Sequence, residues 1–372
     1  MATEKSFRKS QLIAFDNVAA GHDGMLSDPS RELVIKPCKQ SEIDFYDSTS
    51  AHPDLIAHIP TFFGKISLGA DTNSAQAAGA LMLPSETDPE PSVIHGVPDT
   101  MIVENAWAPS NGGRIHTDSA VVLGNVAAGF KKPNILDVKL GARLWADDAP
   151  MAKRLRLDKI AEETTSKPLH LRIEGMKTYY RFYDKTYGRN FTVETIAQGF
   201  EEYFQLTKGV KAKGAVRKVI RRFIEDLRAM ESVVEKEESR MYSASLLFVY
   251  EGDQQALQDA FETERDIITS LHRKVSNGED HTSGNGATND DDLIKGNGTA
   301  NGNGTDADVH VDDDDDEKEE GEEESEEIKF PAIQSLKLID FAHAEWTPGQ
   351  GPDENILHGI RNTTKILTSL TG

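Results

Sequence analysis

One stretch of the chain predicts a buried strand with a charged face. Pro133–Gly141 reads P-N-I-L-D-V-K-L-G, an apolar run of strand length that proline opens and glycine closes. Asp137 and Lys139 stand two apart in it, and side chains at i and i+2 of a strand point to the same face. Buried charge is costly unless it is paired or has a task. Two interpretations stay open: a structural ion pair, or a carboxylate that takes a hydroxyl proton beside a lysine that holds an anion.

The pattern near the N-terminus predicts a hairpin followed by a helix. A glycine-punctuated turn joins two strands, and the second strand, Glu32–Lys36, ends in a lysine. Ser41 is a suitable cap for a helix that carries acids in its first turn. We expect Glu42, or alternatively Asp44, to be the carboxylate that orients Lys36.

The remaining elements are predicted from the spacing of apolar residues. Residues 71–118 are rich in Ala, Ser, Pro, Gly and Asn without a sustained period, which predicts a long loop. The elements predicted after it are a strand at Ser119–Val126, a helix at 151–163, helices at Thr192–Phe204 and Lys211–Glu238, a strand at Met241–Gly252, a strand within Ile333–His343 that ends before Asp340, and a helix at Ile356–Leu370.

The helix predicted at 151–163 has a basic surface. Met151, Leu155 and Ile160 are expected on its apolar side, and Lys153, Arg154, Arg156 and Lys159 on the other sides. Such a run is usually a solvated face. The alternative is a polyphosphate site, because guanidinium and ammonium groups are what a polyphosphate needs.

Composition restricts the class of protein. The chain has 372 residues, 37% of them hydrophobic, which is enough for one large or two modest domains. Its single cysteine, Cys38, excludes an intrachain disulfide and fits a reducing compartment. No apolar run reaches the length of a signal peptide or a membrane span. We therefore expect a soluble protein of the nucleus and cytoplasm without a membrane span. We also expect a monomer.

Most of the formal net charge of −22 belongs to one segment. Residues 276–329 carry 20 acidic and 3 basic residues and no hydrophobic period, which predicts a disordered insert. The insert is interpreted either as a solvating segment or as an electrostatic tether for basic proteins such as transcription factors or chromatin. The basic cluster Lys211–Arg222 is interpreted as a solvated helix face, because no aromatic interleaving or nucleic-acid motif accompanies it. We therefore expect no direct nucleic-acid binding.

A series of motifs resembles one known family. P-x-x-x-D-x-K-x-G at Pro133–Gly141 resembles the signature of the inositol polyphosphate kinases. Other elements follow in the family's order, namely R-I-x-G-M at Arg172–Met176, Y-G-R at Tyr187–Arg189, S-L-L at Ser245–Leu247 and D-F-A-H at Asp340–His343. The resemblance spans nearly the whole chain, apart from 71–118 and the insert. Within the family it is greatest to the multikinases of fungal type.

This resemblance implies a two-lobed, kinase-like α+β fold with antiparallel sheets and ATP between the lobes. The N-terminal lobe would comprise residues 1–125, including the loop at 71–118. The C-terminal lobe would comprise residues 126–275 and 330–372, with a substrate-binding helix at 151–163. Residues 276–329 would form the disordered acidic insert.

The resemblance also implies the residues of the site. Asp137 and Lys139 would be catalytic, and Asp340 would bind Mg²⁺ beside ATP. The implied nucleotide-binding residues are Lys36, Glu42, Gly124, Val126, Leu247 and Asp340. The implied residues for an inositol polyphosphate substrate are Lys139, Lys153, Arg156, Lys159, Lys185 and His343.

One position departs from the family pattern. Gly124 stands between Leu123 and Asn125, where the family usually has a glutamate. If backbone groups make the adenine contacts, the missing side chain matters little. If the glutamate has a role of its own, activity is weakened.

The implied function is ATP-dependent phosphorylation of inositol polyphosphates, from the trisphosphate to the tetrakis- and pentakisphosphate. Nothing like the H-R-D catalytic loop of protein kinases is present. Two alternatives stay open, namely a kinase that makes pyrophosphates from the hexakisphosphate, and an acidic scaffold for transcription factors with weak kinase activity.

Overall fold

The computed structural model describes residues 12–17, 19, 24–67, 117–278 and 328–372, without the side chains of 274–278. Most of the loop predicted at 71–118 and of the insert predicted at 276–329 lies outside these residues. Two compact units are distinguished, residues 1–261 with 332–372, and residues 262–331. Both large sheets lie in the first unit.

The N-terminal part of the first unit is built on an antiparallel sheet. Its strands are β1 (Ile13–Ala14), β2 (Leu26–Ser27), β3 (Leu33–Pro37), β4 (Phe62–Ser67) and β5 (Ser119–Gly124). They lie in the order β1-β2-β3-β5-β4. Two helices follow β3 in the chain, α1 (Gln40–Ser48) and, after a 3₁₀ turn at Thr49–Ala51, α2 (Pro53–Ile56).

The predicted cap of α1 is wrong. The helix begins at Gln40, its N-cap residue is Lys39, and no side chain caps it. Ser41 lies within the first turn, and its hydroxyl instead donates to the backbone oxygen of Ala342 at 2.8 Å. The serine therefore connects α1 to a distant segment of the chain.

A second antiparallel sheet forms the larger part of the first unit. The strands of this part are β6 (Pro133–Leu140), β7 (Leu171–Lys177), β8 (Phe182–Tyr183), β9 (Ser239–Met241), β10 (Ser245–Glu251), β11 (Gln334–Ile339) and β12 (Ala344–Trp346). Five of them lie in the order β11-β10-β6-β7-β8, and β12 pairs with β9. The strand predicted at Met241–Gly252 is broken near its start, because Ser243 has a φ of 61° and turns the chain.

Seven helices follow β6 in the described part of the chain. They are α3 (Met151–Glu162), α4 (Ser166–Leu169), α5 (Lys185–Arg189), α6 (Ile196–Tyr203), α7 (Gly214–Lys236), α8 (Gln254–Gly278) and α9 (Glu354–Thr371). The main core contains Leu136, Val138 and Leu140 of β6 together with residues of α6, α7 and α9. On α7 the apolar positions Val219 and Phe223 are fully buried, as their four-residue step predicted. The opposite face of β6 is left for Asp137 and Lys139.

The apolar side predicted for α3 is wrong. Met151 and Leu155 are 66% and 63% exposed, whereas Lys153, Arg154 and Arg156 are half-buried. Basic side chains reach inward because they have polar partners there, such as the backbone oxygen of Ala149 for Arg154. The hydrophobic pattern therefore failed where the helix borders a charged site.

The turn after β6 is fixed by the start of α9. Asn355 Oδ1 accepts hydrogen bonds from the backbone nitrogens of Ala142 and Arg143 at 2.9 and 3.0 Å. Gly141 has a φ of +93°, and a Cβ atom there would lie 2.4 Å from Asn355 Nδ2. The glycine that closes the motif is thus required by both backbone conformation and space.

Candidate active site

Asp137 and Lys139 lie on the uncovered face of β6, as their spacing predicted. The register places them opposite Leu247 and Ser245 of β10. Asp137 is 4% exposed, and its Oδ1 atom is buried without a hydrogen-bond partner among the described residues. The carboxyl group of Asp137, which the Ser245 hydroxyl also approaches, therefore keeps acceptor capacity beyond its partners in the protein.

A chain of ion pairs connects the two sheets. Lys36 Nζ lies 2.7 Å from Glu42 Oε1 and 2.8 Å from Asp340 Oδ1. Lys139 Nζ lies 2.8 Å from Asp340 Oδ2, so that Asp340 is held between two ammonium groups. Glu42 is the carboxylate that orients Lys36, whereas Asp44 is exposed.

The two carboxyl groups of this site have pKa values that are pushed apart. Burial raises the pKa of Asp137 to about 6, with Lys139 opposing the rise and Asp340 adding to it. Burial also acts to raise the pKa of Asp340, but Lys139 and Lys36 outweigh it and hold that pKa well below its usual range. Asp340 therefore stays ionised and suits a cation, whereas Asp137 titrates close to neutrality and suits a base.

Lys153 of α3 meets His343 beside the ion-pair chain. Lys153 Nζ lies 2.9 Å from His343 Nε2. Burial, together with the charges of Lys153 and Lys39, lowers the pKa of His343 to about 4. The imidazole is thus neutral at neutral pH and accepts a hydrogen bond from the lysine. Lys39, which the sequence did not single out, adds a third nitrogen group to this side of the site.

Three arginines surround Glu174 of β7. Arg172 Nε donates to Glu174 Oε2 at 2.9 Å. Burial lowers the pKa of Arg156, and the charges of Arg189 and Arg172 lower it further, so the three guanidinium groups lie close together. The register pairs Arg172 with Lys139, and the arginine cluster therefore continues the charged face of β6.

Sequence reasoning missed Arg172, Glu174 and Arg189 as site residues. The signal for the first two was present, because they repeat on β7 the i, i+2 charged pattern of Asp137 and Lys139. Arg189 is the last residue of the Y-G-R motif, and nothing in that motif indicated which way the arginine side chain points. Its Nε atom is buried without a hydrogen-bond partner in the described part of the chain.

Two lysines predicted to bind substrate lie in different surroundings. Lys159 is 72% exposed and pairs with Glu163 at 3.7 Å, one turn along α3. Lys185 is half-buried and begins α5, four residues before Arg189. The structure thus turns Lys159 toward solvent, whereas Lys185 shares a short helix with a member of the arginine cluster.

The residues predicted for the nucleotide base lie at the end of β5, for Gly124 and Val126, and on β10, for Leu247. Val126 and Leu247 pack with Ile135 and Val249 in a small apolar cluster. Gly124 donates its backbone N–H to the oxygen of Thr61 at 2.8 Å. A Cβ atom at Gly124 would meet its nearest neighbour at 3.4 Å, an ordinary contact, so space does not explain the missing glutamate.

The donor set fits a nucleotide-bound magnesium ion. Among the described residues, no group of three or more His, Cys, Asp and Glu side chains is arranged to hold a metal by itself. Magnesium commonly takes one or two carboxylates together with substrate phosphates and water. Asp340 supplies such a carboxylate, and Lys36 and Lys139 supply positive charge for phosphates. The fit is therefore to a metal that arrives with its nucleotide.

A lysine, glutamate and aspartate network between two antiparallel sheets, beside a buried carboxyl group, defines a kinase-type phosphotransferase. The sequence model of the inositol polyphosphate kinase family matches residues 120–368. The chain is 31% identical to the inositol polyphosphate multikinase of Saccharomyces cerevisiae, over 95% of this chain and 96% of that protein. It is 29% identical to the multikinase of Schizosaccharomyces pombe, over 70% of this chain and 87% of that protein. The chain belongs to the inositol polyphosphate kinase family.

A solved structure shows the same fold. It is the inositol phosphate multikinase Ipk2 from S. cerevisiae in complex with ADP and Mn²⁺, with a TM-score of 0.53 and 23% sequence identity, and the match covers 92% of this chain and 100% of that chain. The predicted family and fold class are thus confirmed. The ADP and Mn²⁺ of that complex agree with the predicted ATP and divalent metal. None of the helices in the described part of the chain combines the length and apolar character of a membrane span.

Proposed function

We propose that this kinase adds phosphates successively to hydroxyls of soluble inositol polyphosphates, from the trisphosphate to the tetrakis- and pentakisphosphate, with Mg-ATP as donor. The relatives that match most of its length are named multikinases. The observation that carries the proposal is the Lys36–Asp340–Lys139 ion-pair chain beside buried Asp137. It places a candidate base next to groups that suit phosphates and a metal.

Mg-ATP supplies the γ-phosphoryl group and the charge neutralisation that its transfer requires. Lys36, oriented by Glu42, holds nucleotide phosphates, and Asp340 holds the metal. Val126 and Leu247 enclose the base, and Gly124 offers backbone groups to its edge. Lys36 Nζ lies 2.7 Å from Glu42 Oε1, and this ion pair sets the position of the ammonium group.

Asp137 acts on the substrate hydroxyl. The hydroxyl donates to the buried Oδ1 atom and passes its proton to it as the oxygen forms a bond to the γ-phosphorus. The bond from that phosphorus to the β,γ-bridging oxygen breaks, and ADP leaves with the electron pair. A pKa raised to about 6 keeps Asp137 largely ionised at neutral pH and still basic enough to take the proton.

Phosphates already on the inositol ring are held by the basic residues around Asp137. Lys139, Lys153, His343, Arg156 and Lys185 are the proposed ligands. Lys159 was predicted with them, and its exposure makes it the weakest member of the set. Arg172, which is buried and bonded to Glu174, and Arg189 add positive charge near these ligands. Several cations on different strands and helices suit a substrate that carries phosphates on several ring carbons.

The test is a time course with Mg-ATP on a panel of inositol phosphates, with products separated by phosphate number and position. Stepwise conversion of a trisphosphate that stops at the pentakisphosphate supports the proposal. Activity only on the hexakisphosphate would assign the chain to pyrophosphate formation. This alternative is favoured by one observation, a 34% identity to human inositol hexakisphosphate kinase 1, over 36% of this chain. No turnover on any member of the panel would contradict both.

We also propose that the acidic segment 276–329 binds basic proteins, and that the protein acts as a monomer in nucleus and cytoplasm. The support is the charge of that segment, with 20 acidic against 3 basic residues. Salt-sensitive binding of histone tails that is lost when Asp312–Asp316 are replaced by Asn would support the tether. Equal binding by the replaced protein would contradict it.

A further inference from the structure

Four aromatic rings stack in a row that ends beside Asp340. The members of this ring stack are His52, Trp346, Phe45 and Phe341. The ring centroids of His52 and Trp346 are 3.5 Å apart with an interplanar angle of 7°. Those of Trp346 and Phe45 are 5.0 Å apart at 16°, and those of Phe45 and Phe341 are 4.6 Å apart at 25°. Each pair fixes the orientation of the next ring.

The inner end of the ring stack fixes the backbone at Asp340. Asp340 has a φ of +69°. Residues other than glycine rarely adopt this left-handed conformation unless the surrounding structure imposes it. The next residue, Phe341, is fully buried, and the ring of Tyr46 also contacts it edge-on at 5.3 Å. The packed ring of Phe341 therefore sets the direction in which the Asp340 carboxylate points.

The middle of the ring stack fixes α1. This helix has nine residues and no side-chain cap, and helices of that length are marginal without packing partners. Phe45 and Glu42 are three residues apart and therefore lie on the same side of the helix. The packing of Phe45 thus also holds Glu42, whose carboxylate lies 2.7 Å from Lys36 Nζ.

The outer end of the ring stack joins α1 to the rest of the unit. Trp346 Nε1 donates to Ser48 Oγ at 2.8 Å, at the last residue of α1. Trp346 lies on β12 and pairs with Ser239 of β9. His52 Nδ1 lies 2.6 Å from Glu237 Oε2, directly after α7. Trp346 is therefore the member of the stack that connects α1 to β9 and β12.

We propose that Trp346 is a positioning residue for the nucleotide. Through the ring stack it holds α1 and the Asp340–Phe341 segment, so that Lys36 and Asp340 keep the alignment that phosphates and metal require. The inference rests on the proposed roles of Lys36 and Asp340. Trp346 acts through Lys36 and Asp340, which are proposed to hold the nucleotide phosphates and the metal. Its removal is therefore expected to weaken nucleotide binding more than binding of the inositol phosphate.

The first experiment removes the ring and restores it. Calorimetry gives the Kd for Mg-ADP of the full-length chain, and initial rates give KM for ATP and for an inositol trisphosphate. We expect Trp346→Leu to raise the Kd for Mg-ADP and the KM for ATP about tenfold, and to leave the KM for the trisphosphate within about twofold. Trp346→Phe keeps a stacking ring and should recover most of the affinity.

The control is an aromatic ring outside the ring stack and the candidate active site. Phe261 is partly buried, and the cations of Lys218 and Arg222 lie 5.0 Å from its ring centroid. Phe261→Leu should lower the melting temperature without changing the Kd for Mg-ADP. A Trp346→Leu variant with wild-type affinity, or no recovery in Trp346→Phe, would overturn the proposal. If Trp346→Leu does not fold, His52→Leu, which removes only the outermost ring, is measured instead, with a rise of about threefold expected.

A double-mutant cycle tests the route. If Trp346 acts through Glu42, then Glu42→Gln already removes the benefit, and adding Trp346→Leu to it weakens Mg-ADP binding by much less than tenfold. Fully multiplicative effects would exclude this route. The Lys36→Ala variant distinguishes the positioning role of Trp346 from the nucleotide-binding role of Lys36. If Lys36→Ala loses Mg-ADP binding and Trp346→Leu binds normally, only the positioning role of Trp346 is contradicted. If Lys36→Ala binds Mg-ADP normally, the proposed role of Lys36 itself is contradicted.

Discussion

Asp137 is a buried carboxyl group whose ionised form is disfavoured by its surroundings. Its pKa of about 6 in the folded protein lies above the ordinary value of 3.8, so the folded state is penalised at pH 7, where the group must ionise. Replacement by a neutral amide of the same shape removes this penalty. Activity and stability therefore make opposite demands at this residue.

We predict that Asp137→Asn lowers kcat by about 10²–10⁴-fold, the usual contribution of a general base. The melting temperature at pH 7 should stay equal to that of the wild type or rise, and the difference should vanish below about pH 3, where both states bind the proton. Rate assays and thermal melts check both parts. A near-normal rate would remove Asp137 from the mechanism.

Asp340→Asn is the matched variant with the opposite effect on stability. Asp340 neutralises two ammonium groups whose side chains are only 16% and 11% exposed, those of Lys36 and Lys139. Loss of one partner of a buried pair leaves charge without compensation. We expect Asp340→Asn to lose activity and also about 2–3 kcal/mol of unfolding free energy, measured by urea titration. Equal stability of the two variants would contradict the ion-pair chain.

His343 makes the stability of the folded protein depend on pH, and a single substitution can isolate its contribution. Its pKa in the folded protein is about 4, below the ordinary 6.5, so between these values the unfolded chain binds a proton that the folded chain does not. Stability is therefore lost as the pH falls through this window. We predict that His343→Gln loses about 1–2 kcal/mol less than the wild type between pH 7 and pH 5 in urea titrations. Equal losses would mean that folding does not lower the pKa of His343.

At the scale of elements, α3 shows how the site overrides the hydrophobic pattern. Met151 and Leu155 are exposed while Lys153 and Arg156 turn inward. Periodicity predicts the buried side of a helix only when the neighbouring surface is apolar. The surface beside α3 carries Glu174 and other charges, so its cations are the side chains with partners there.

Two cations of α3 allow a controlled test of this orientation. We predict that Arg156→Gln raises the KM for an inositol trisphosphate about tenfold or more and leaves the KM for ATP unchanged, because a charged hydrogen bond to a phosphate is lost. Lys159→Gln should change either constant less than about twofold, since Lys159 is 72% exposed. The reverse ranking would restore Lys159 as a substrate ligand and argue against the inward side of the helix.

The elements that sequence predicted best are those with a long apolar period or a strict alternation. β6 and α9 lie within two residues of their predicted bounds, and α7 within three, because their buried positions recur over several turns or across a whole strand. β9 and β12 have three residues each, too few to carry a period. The chain also turns at Ser243, which has a positive φ and whose hydroxyl donates to the backbone oxygen of Leu144, 99 positions away in sequence.

The candidate site divides in the same way. The side chains on β6, and the pairing of Lys36 with Glu42, follow from local spacing and from the family motif. The approach of Asp340 to Lys36 joins residues 304 positions apart, and no local pattern contains it. Arg172 and Arg189 were missed because their inward direction depends on the packing of β7 and α5 rather than on their neighbours in sequence.

At the scale of the whole molecule, charge is distributed unevenly. Residues 276–329 carry 20 acidic residues in a chain whose net charge is −22. A polyphosphate substrate is repelled by this charge at a distance, and dissolved salt screens the repulsion over about 10 Å at 0.1 M ionic strength. The charge of the segment would therefore slow the encounter with substrate by long-range repulsion.

We predict that replacing residues 276–329 by an uncharged Gly-Ser segment of equal length raises kcat/KM for an inositol polyphosphate at low ionic strength. The advantage should shrink to less than about twofold in 0.5 M salt, where the Debye length is a few ångströms. Equal length keeps the chain connection unchanged, so that charge is the only variable. A rate that collapses at every salt concentration would mean that the segment contributes structure or ligands to catalysis. A salt-independent increase would argue for steric obstruction instead of repulsion.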